Sequence, residues 1–593
     1  MSNRLALEEA LAELAQNPEQ YKAACESAHC VVLAGPGSGK TKTLTTAMAR
    51  ALLKDVIDPR GVACITYNNE CAIELESRLA KFGILSSDRS FIGTVHSFAL
   101  TQVIAPYAHC IAGLLPVGFR VATRSECRSA VEAAYNIVFS DADNPHELWG
   151  FAEEKRRRDV DRSQHRWRGE NPDLADFIEA YETELRRKGL IDFDDMPLIA
   201  YGMVKENKWI RDALRARFPV LFVDEYQDLG HALHELVLLL CFEGSIRLFA
   251  VGDADQSIYG FAGANPGLLE SLITRQGVKT IRLRFNYRSG AKIINASMAA
   301  LGENRDYCGL DDAPDGNLSF WPVQGGLDHQ ALYIASTVLP ELIGRGFQLE
   351  QIAILYRAAW LGDKIATALE SRKFTFVRTD GNALVKRSSH LARFIESCAG
   401  WVVGGWCVAL PPYGRLLSQA LVLVYSGRAN EAEEQALSGQ LIAFLRSSID
   451  SGETTHSWLH RFYSELIIPW RAIARNAHQE WEICSEMIAK TDPVAGKDIP
   501  LNVFAGRIDG TGRITLSTLH SAKGREFDVV ILFGINKSDI PNARDNRSIS
   551  ALREARRLFY VGVTRPRREL SLVYQGNNQS PWVDDLYRRS LTD

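Results

Sequence analysis

Cysteine is sparse and scattered: 11 residues in a chain of 593, with no Cys-x-x-Cys pair. That spacing argues against a disulfide framework, a zinc ribbon or a cysteine-ligated iron–sulfur cluster, and it favours a reducing compartment. Long apolar runs are also missing. The longest, Ala399 to Leu410, is interrupted by Gly and Trp and falls short of the ~20 residues a membrane helix needs. Met1-Ser2-Asn3-Arg4-Leu5 leads directly into an amphipathic charged stretch without a signal-peptide core. The expected location is therefore the cytoplasm, with no membrane partner. An excess of positive charge is lacking too, since 68 Lys and Arg face 72 Asp and Glu for a net charge of −4. The whole molecule is no electrostatic sponge, so any polyanion must bind in a local groove. No internal repeat or low-complexity segment occurs. With 46% hydrophobic and 24% charged residues the composition is that of a soluble globular protein, and the length calls for several domains.

What is present begins with two segments. Ala34-Gly35-Pro36-Gly37-Ser38-Gly39-Lys40-Thr41 follows the apolar run His29–Leu33, which reads as a buried strand, and precedes Lys42–Ala49, which reads as a helix. A phosphate-binding loop needs that context. Backbone N–H groups close around the phosphates, Lys40 reaches the β- and γ-phosphates, and Thr41 holds Mg²⁺. Pro36 between two glycines suits a fixed turn, and Ala34 fills the first position, where the strict pattern has Gly. The second segment, Val220-Leu221-Phe222-Val223, reads as a buried strand ending in Asp224 and Glu225. Asp224 suits hydrated Mg²⁺, and Glu225 suits the water that attacks a γ-phosphate. Together the segments imply binding and hydrolysis of a nucleoside triphosphate.

Further strings surround them. Asn17-Pro18-Glu19-Gln20, Thr66-Tyr67-Asn68-Asn69 and Gly93-Thr94-Val95-His96-Ser97-Phe98 lie upstream of the acidic strand end. Downstream, Tyr226-Gln227-Asp228 extends the acidic pair, followed by Val251-Gly252-Asp253-Ala254-Asp255-Gln256-Ser257-Ile258-Tyr259-Gly260-Phe261 and Phe285-Asn286-Tyr287-Arg288-Ser289. Thr518-Leu519-His520-Ser521-Ala522-Lys523-Gly524-Arg525-Glu526-Phe527 and Tyr560-Val561-Gly562-Val563-Thr564-Arg565 complete the series. In this order the strings resemble the motifs of the UvrD/Rep/PcrA family of superfamily 1A DNA helicases, from about residue 15 to residue 576.

Apolar strands alternate with helical stretches through residues 1–104 and again from Phe218, which predicts parallel sheets covered on both faces. A second αβ set begins near Phe285. Residues 105–184 and 391–500 look helical. The fold class read from this pattern and from the resemblance is α/β: two RecA-like parallel-sheet P-loop NTPase domains, each with a mainly helical insertion. The expected boundaries are 1–104 with 185–284 for the first domain and 105–184 for its insertion. The second domain takes 285–390 with 501–593, and its insertion, 391–500, is shorter than in long bacterial relatives. Little chain follows Arg565, which leaves no room for a C-terminal nuclease.

The resemblance also implies roles. The nucleotide set is Gln20, Gly35, Pro36, Gly37, Ser38, Gly39, Lys40, Thr41, Lys42, Tyr287 and Glu526, with Gln20 pairing the adenine edge, Tyr287 stacking on it and Glu526 meeting the ribose. Thr41 and Asp224 hold the metal. Catalysis falls to Glu225, to Gln256 as γ-phosphate sensor, and to Arg288 and Arg565 as arginine fingers. The DNA path is Tyr67, Asn69, Thr94, His96, Tyr259, Phe261, Thr518 and His520, with aromatic rings stacking bases. Three departures weaken that path: Phe261 in place of Trp, Ala262 in place of Arg, and Glu70 in place of Lys. The basic stretch Lys155 to Arg168 reads either as a solvated helical face or as a duplex contact.

The expected activity is that of an ATP- and Mg²⁺-dependent 3′→5′ helicase or translocase on single-stranded DNA and single-strand/duplex junctions, in repair, recombination or anti-phage defence. The polarity comes from the family alone. The alternative is an ATP-gated interaction module that regulates a partner nuclease with little unwinding, as in compact defence-operon members of the Gabija type.

Overall fold

The computed structural model describes all residues except 1, 67–68, 85–88, 140–143, 261–262, 311–313, 387–388, 409–410, 426–428, 450, 475–478, 495–497, 506–511 and 591–593. The chain forms two compact units. One comprises Met1–Asp315 with Arg544–Tyr560, and the other Gly316–Ala543 with Val561–Asp593.

The first unit is built on strands β1 (His29–Ala34), β2 (Val62–Thr66), β3 (Ser90–Thr94), β4 (Val220–Val223), β5 (Arg247–Gly252) and β6 (Val278–Leu283). They lie in the order β3-β2-β4-β5-β1-β6, and every pairing is parallel. Alternation along the strands divides the core. Val31, Ile65, Val223 and Ala250 join Phe98, Met196 and Leu236 on one face, while Val32, Cys64, Phe222 and Val251 join Leu44, Met48 and Leu75 on the other. Because both faces are buried, the strands read as continuous apolar runs. The parallel arrangement also brings the ends of β1, β3, β4 and β5 to one edge of the sheet, where ligands of open α/β folds bind.

A two-stranded clip follows. β7 (Phe285–Asn286) pairs in parallel with β8 (Cys308–Gly309), and both belong to the first unit. The second unit holds β9 (Asn317–Val323), β10 (Ile352–Tyr356), β11 (Phe376–Arg378), β12 (Ile514–Thr518), β13 (Phe527–Phe533) and β14 (Pro566–Gln575). Their order is β9-β14-β13-β10-β12-β11, again wholly parallel. The α/β expectation of two parallel sheets holds. Strands β3 and β9 do not stand out in the sequence because each is an edge strand, and neither carries a continuous buried run.

The helical stretches have their own cores. Helices Arg124–Val138, Pro145–Arg158 and Pro172–Arg187 enclose Trp167, Phe177 and Tyr181. In the second unit Phe394, Phe444, Trp458, Phe462 and Trp470 form an aromatic centre.

Neither reading of the Lys155–Arg168 stretch describes its first half. Arg156 is fully buried and pairs with Glu182 and Asp192 at 2.7 Å and with Asp195. Lys155 is buried against Asp159 at 3.0 Å, and Arg157 binds Asp194 at 2.9 Å. The acidic string Asp192-Phe193-Asp194-Asp195 is thus the counter-charge that docks this helix. Burial opposes the ionisation of Asp195, but Arg156 and Arg186 outweigh it and hold that carboxyl below its ordinary range.

Replacing Arg156 by Ala leaves buried carboxylates uncompensated, at an expected cost of about 3–5 kcal/mol. Lys in its place keeps the charge but loses the planar fork that reaches several carboxylates. Thermal melts of R156A and R156K read this directly, with the alanine variant lower and the lysine variant between it and the wild type.

Candidate functional site

The loop between β1 and the helix Lys40–Arg50 turns through two left-handed glycines, Gly37 (φ 69°) and Gly39 (φ 80°), a conformation that costs glycine little. Its surroundings leave no space for a side chain at Gly35, Gly37 or Gly39. Asn17 caps the helix Pro18–Cys25 by accepting from the N–H groups of Glu19 and Gln20, each at 3.1 Å. This aims Gln20, whose amide donates to the Ser38 carbonyl at 2.8 Å and fills the space a Cβ on Gly39 would take. Tyr287 N donates to the Gly37 carbonyl at 2.8 Å, and its hydroxyl accepts from Asn17 Nδ2 at 2.7 Å. The Asn286 side chain organises the next turn by accepting from Arg288 N at 2.8 Å and Ser289 N at 3.0 Å. Gln20, Tyr287 and Arg288 therefore all meet the loop. Tyr287 keeps 44% of its surface exposed, which leaves its ring available for stacking.

Lys40 opens the helix, and its Nζ is buried with no hydrogen-bond partner among the described residues. Glu225 Oε1 lies 3.6 Å away. Glu225 itself sits in the left-handed region (φ 52°, ψ 48°), a strained conformation for a residue with a Cβ and one that tends to occur at functional sites. Its other oxygen accepts from the Gln227 amide. Gln227 Oε1 in turn accepts from Asp253 N at 2.8 Å, and Gln256 Nε2 donates to Asp253 Oδ2 at 2.6 Å. A continuous path thus links Gln256 to Glu225. Gln227 had no role in the sequence reading, although it stands inside the acidic string. Burial first, and then the neighbouring Glu225 charge, push Asp224 up to about 7, with Lys40 opposing. Burial likewise lifts Asp253 to about 6.

A buried ammonium without a hydrogen bond among the described residues, beside two carboxylates and next to a loop of small residues, fits a triphosphate and a divalent cation. Thr41 and Asp224 offer the hard oxygen donors Mg²⁺ accepts alongside phosphates and water. Lys42, also expected in the nucleotide set, pairs with Glu13 at 2.6 Å on the exposed side.

The remaining expected residues occupy other places. In the first unit Thr94, at the end of β3, caps the helix Val95–Phe98 through Ser97 N at 3.3 Å. The His96 ring meets Phe193 edge-on at 5.3 Å, and Tyr259 is half-buried. Tyr67 and Phe261 lie outside the described residues, as do Ala262 and the side chains of Asn69 and Glu70. In the second unit Arg565 is fully buried, donating to the carbonyls of Val561 at 2.9 Å and Arg525 at 3.2 Å and to Thr564 Oγ1 at 2.9 Å. Glu526 is exposed and pairs with Arg567 at 2.6 Å. Thr518 Oγ1 accepts from Ser521 N at 3.1 Å. Burial, and after it the charges of Arg357 and Lys523, lower His520 to about 4.

A wholly parallel sheet that sets a glycine loop, a buried lysine and an acidic strand end along one edge defines the class of P-loop nucleoside triphosphatases. Within that class the chain belongs to the UvrD/Rep helicase family. Residues 16–275 match the UvrD/REP helicase N-terminal domain, and residues 505–577 match the UvrD-like helicase C-terminal domain. Among its relatives, the ATP-dependent DNA helicase PcrA of Leuconostoc citreum is 24% identical over 92% of this chain and 79% of its own. DNA helicase II of Escherichia coli is 26% identical over 94% and 84%. The ATP-dependent DNA helicase Rep of Buchnera aphidicola is 23% identical over 92% of both chains.

Two outcomes follow from this geometry. Gly39→Ala places a Cβ in a left-handed residue against the Gln20 amide, a strain of about 1–3 kcal/mol. Fluorescent-nucleotide titration should show ATP and ADP binding weakened alike, by roughly tenfold or more. His520 concerns pH. Its folded value near 4 lies below its ordinary 6.5, so the unfolded chain takes up the proton first as pH falls. Its stabilisation is complete above about 6.5 and is lost on the way down to 4. His520→Gln should therefore melt with a shallower pH dependence than the wild type between pH 7 and 5.

Proposed function

We propose that this protein is an ATP-dependent DNA helicase or translocase that hydrolyses ATP to move 3′→5′ along single-stranded DNA and acts at single-strand/duplex junctions. One observation carries the reading: the buried Lys40 ammonium, without a hydrogen bond among the described residues and 3.6 Å from the strained Glu225 carboxylate, beside a loop whose glycines have no room for a side chain. Family membership and the helicase names of its relatives support it.

In this reading Lys40 neutralises the γ-phosphate, and Glu225 orients the attacking water and takes its proton. Thr41 and Asp224 would hold Mg²⁺, which when bound neutralises phosphate charge. Gln256 senses the γ-phosphate, and Arg288, which meets the phosphate loop within the first unit, and Arg565 are the proposed arginine fingers that stabilise developing charge. The proposed DNA-contacting residues are Thr94, His96 and Tyr259 in the first unit and Thr518 and His520 in the second, with Tyr67, Asn69 and Phe261. The four-part frame read from the sequence, 1–104 with 185–284, insertion 105–184, 285–390 with 501–593 and insertion 391–500, is kept except that residues 285–315 pack with the first unit. Among the described residues no helix is long and apolar enough to cross a membrane, and the proposed location is the cytoplasm.

A second reading, an ATP-gated module that regulates a partner nuclease with little unwinding, draws support from the pairing of Arg156 and Arg157 with Asp192, Asp194 and Asp195. It removes free positive charge from the first insertion.

Glu225→Gln keeps the shape but loses the base. ATP and DNA binding should persist while hydrolysis falls by about 10²–10⁴-fold; wild-type turnover in this variant would sink the site assignment. Duplexes with 3′ or 5′ tails test the rest. Opening of the 3′-tailed substrate alone supports the helicase, whereas DNA-stimulated hydrolysis without opening of either favours the module.

A further inference from the structure

The clip β7–β8 touches the nucleotide site twice, and only one of the two contacts involves an expected residue. From β7, Asn286 and Arg288 press on Gly37, where an added Cβ would come within 2.7 Å of Arg288 Cβ. The segment entering β8, Arg305-Asp306-Tyr307, makes the second contact. The Tyr307 ring lies against Gly35, 2.5 Å from where a Cβ would stand. Arg305 grips Asp255 with two parallel hydrogen bonds, Nε to Oδ2 at 2.8 Å and Nη2 to Oδ1 at 2.9 Å, and also reaches Glu303 at 2.6 Å.

Asp255 is the middle residue of the short turn Ala254–Gln256. Its own N–H donates to Asp253 Oδ1 at 3.1 Å, the same carboxylate whose other oxygen accepts from the Gln256 amide. The turn is thus held on one side by Gln227, through Asp253 N, and on the other by Arg305. A bidentate arginine–carboxylate pair fixes direction as well as distance, and this one is largely shielded, with side-chain exposures of 26% for Arg305 and 13% for Asp255. Because β8 pairs with β7 at Cys308–Phe285 and Gly309–Asn286, the two contacts form one unit. Gly35, Gly37 and the Gln256 turn are all pinned by the same clip.

We propose that Arg305 is a positioning residue for ATP hydrolysis: acting through Asp255, and seated by Tyr307 on the phosphate loop, it holds Gln256 at the angle required to meet the γ-phosphate. The proposal rests on the reading of Gln256 as γ-phosphate sensor. Arg305 touches no reacting atom, so its loss acts on hydrolysis and not on the binding of a nucleotide that lacks the γ-phosphate.

The test measures kcat, MgATP and MgADP affinity and melting temperature for R305A, R305K, D255N, Q256A and the double variant R305A/Q256A. Misplacing Gln256 should lower the kcat of R305A by roughly tenfold to a hundredfold while MgADP affinity stays within about twofold. R305K should fall between R305A and the wild type. The double variant should be no slower than Q256A alone, because both changes remove one function. The charge-reversed pair R305D/D255R should recover part of the loss. A wild-type kcat in R305A beside an impaired Q256A overturns the proposal and leaves the Gln256 reading standing, as do independent, multiplying losses in the double variant. A wild-type rate in Q256A overturns both. If R305A does not fold, D255N carries the same test, since it breaks the grip while leaving Arg305 in place.

Discussion

Gly35, Gly37 and Gly39 have no space for a side chain, and the nucleotide side of the first unit is arranged around that lack of space. Gln20, Asn286 with Arg288, and Tyr307 each occupy the volume that a Cβ would need at Gly39, Gly37 and Gly35. The glycines therefore do more than permit a left-handed turn. They let three separate chain segments close on the loop backbone. The cost is borne elsewhere in the site, where Lys40 is buried without a hydrogen-bond partner among the described residues and Glu225 is bent into an uncommon conformation.

Charge is handled in the same local way. A molecule with a net charge of −4 has no general attraction for polyanions, and its densest run of basic residues is spent internally. Arg156 and Arg157 face Asp192, Asp194 and Asp195. Removing those cations from the surface joins the helix Pro145–Arg158 to the segment just before the helix Asp195–Glu206. Counting charges along the sequence makes this stretch look like a binding face, and the geometry makes it a joint.

Legibility in the sequence followed the range of the interaction. The glycine loop, Lys40 and the Asp224–Glu225 strand end are compact strings whose spacing carries their chemistry, and the buried strands announce themselves because both faces are apolar. The edge strands Ser90–Thr94 and Asn317–Val323 do not, since half-buried residues blur the pattern. Partners far apart in the chain were beyond reach. Nothing near Arg156 points to Asp192, and nothing near Asp255 points to Arg305. Gln20 shows the limit differently: its motif was legible, but its hydrogen bond to the Ser38 carbonyl is a tertiary fact. Even the division of the chain depends on packing, because residues 285–315 join the first unit although the second αβ pattern in the sequence starts with them.

The backbone at Glu225 carries a consequence for how such a chain ages. A φ of 52° suits glycine or asparagine better than glutamate, and the carboxylate adds to the charge beside buried Asp224. Selection for folding alone would not favour this residue here, and under the proposed catalytic role it is the demand for turnover that retains it. A lineage released from that demand would drift toward a sturdier and inert descendant, and the first sign of disuse would be a relaxed residue at the end of β4 within an otherwise intact scaffold.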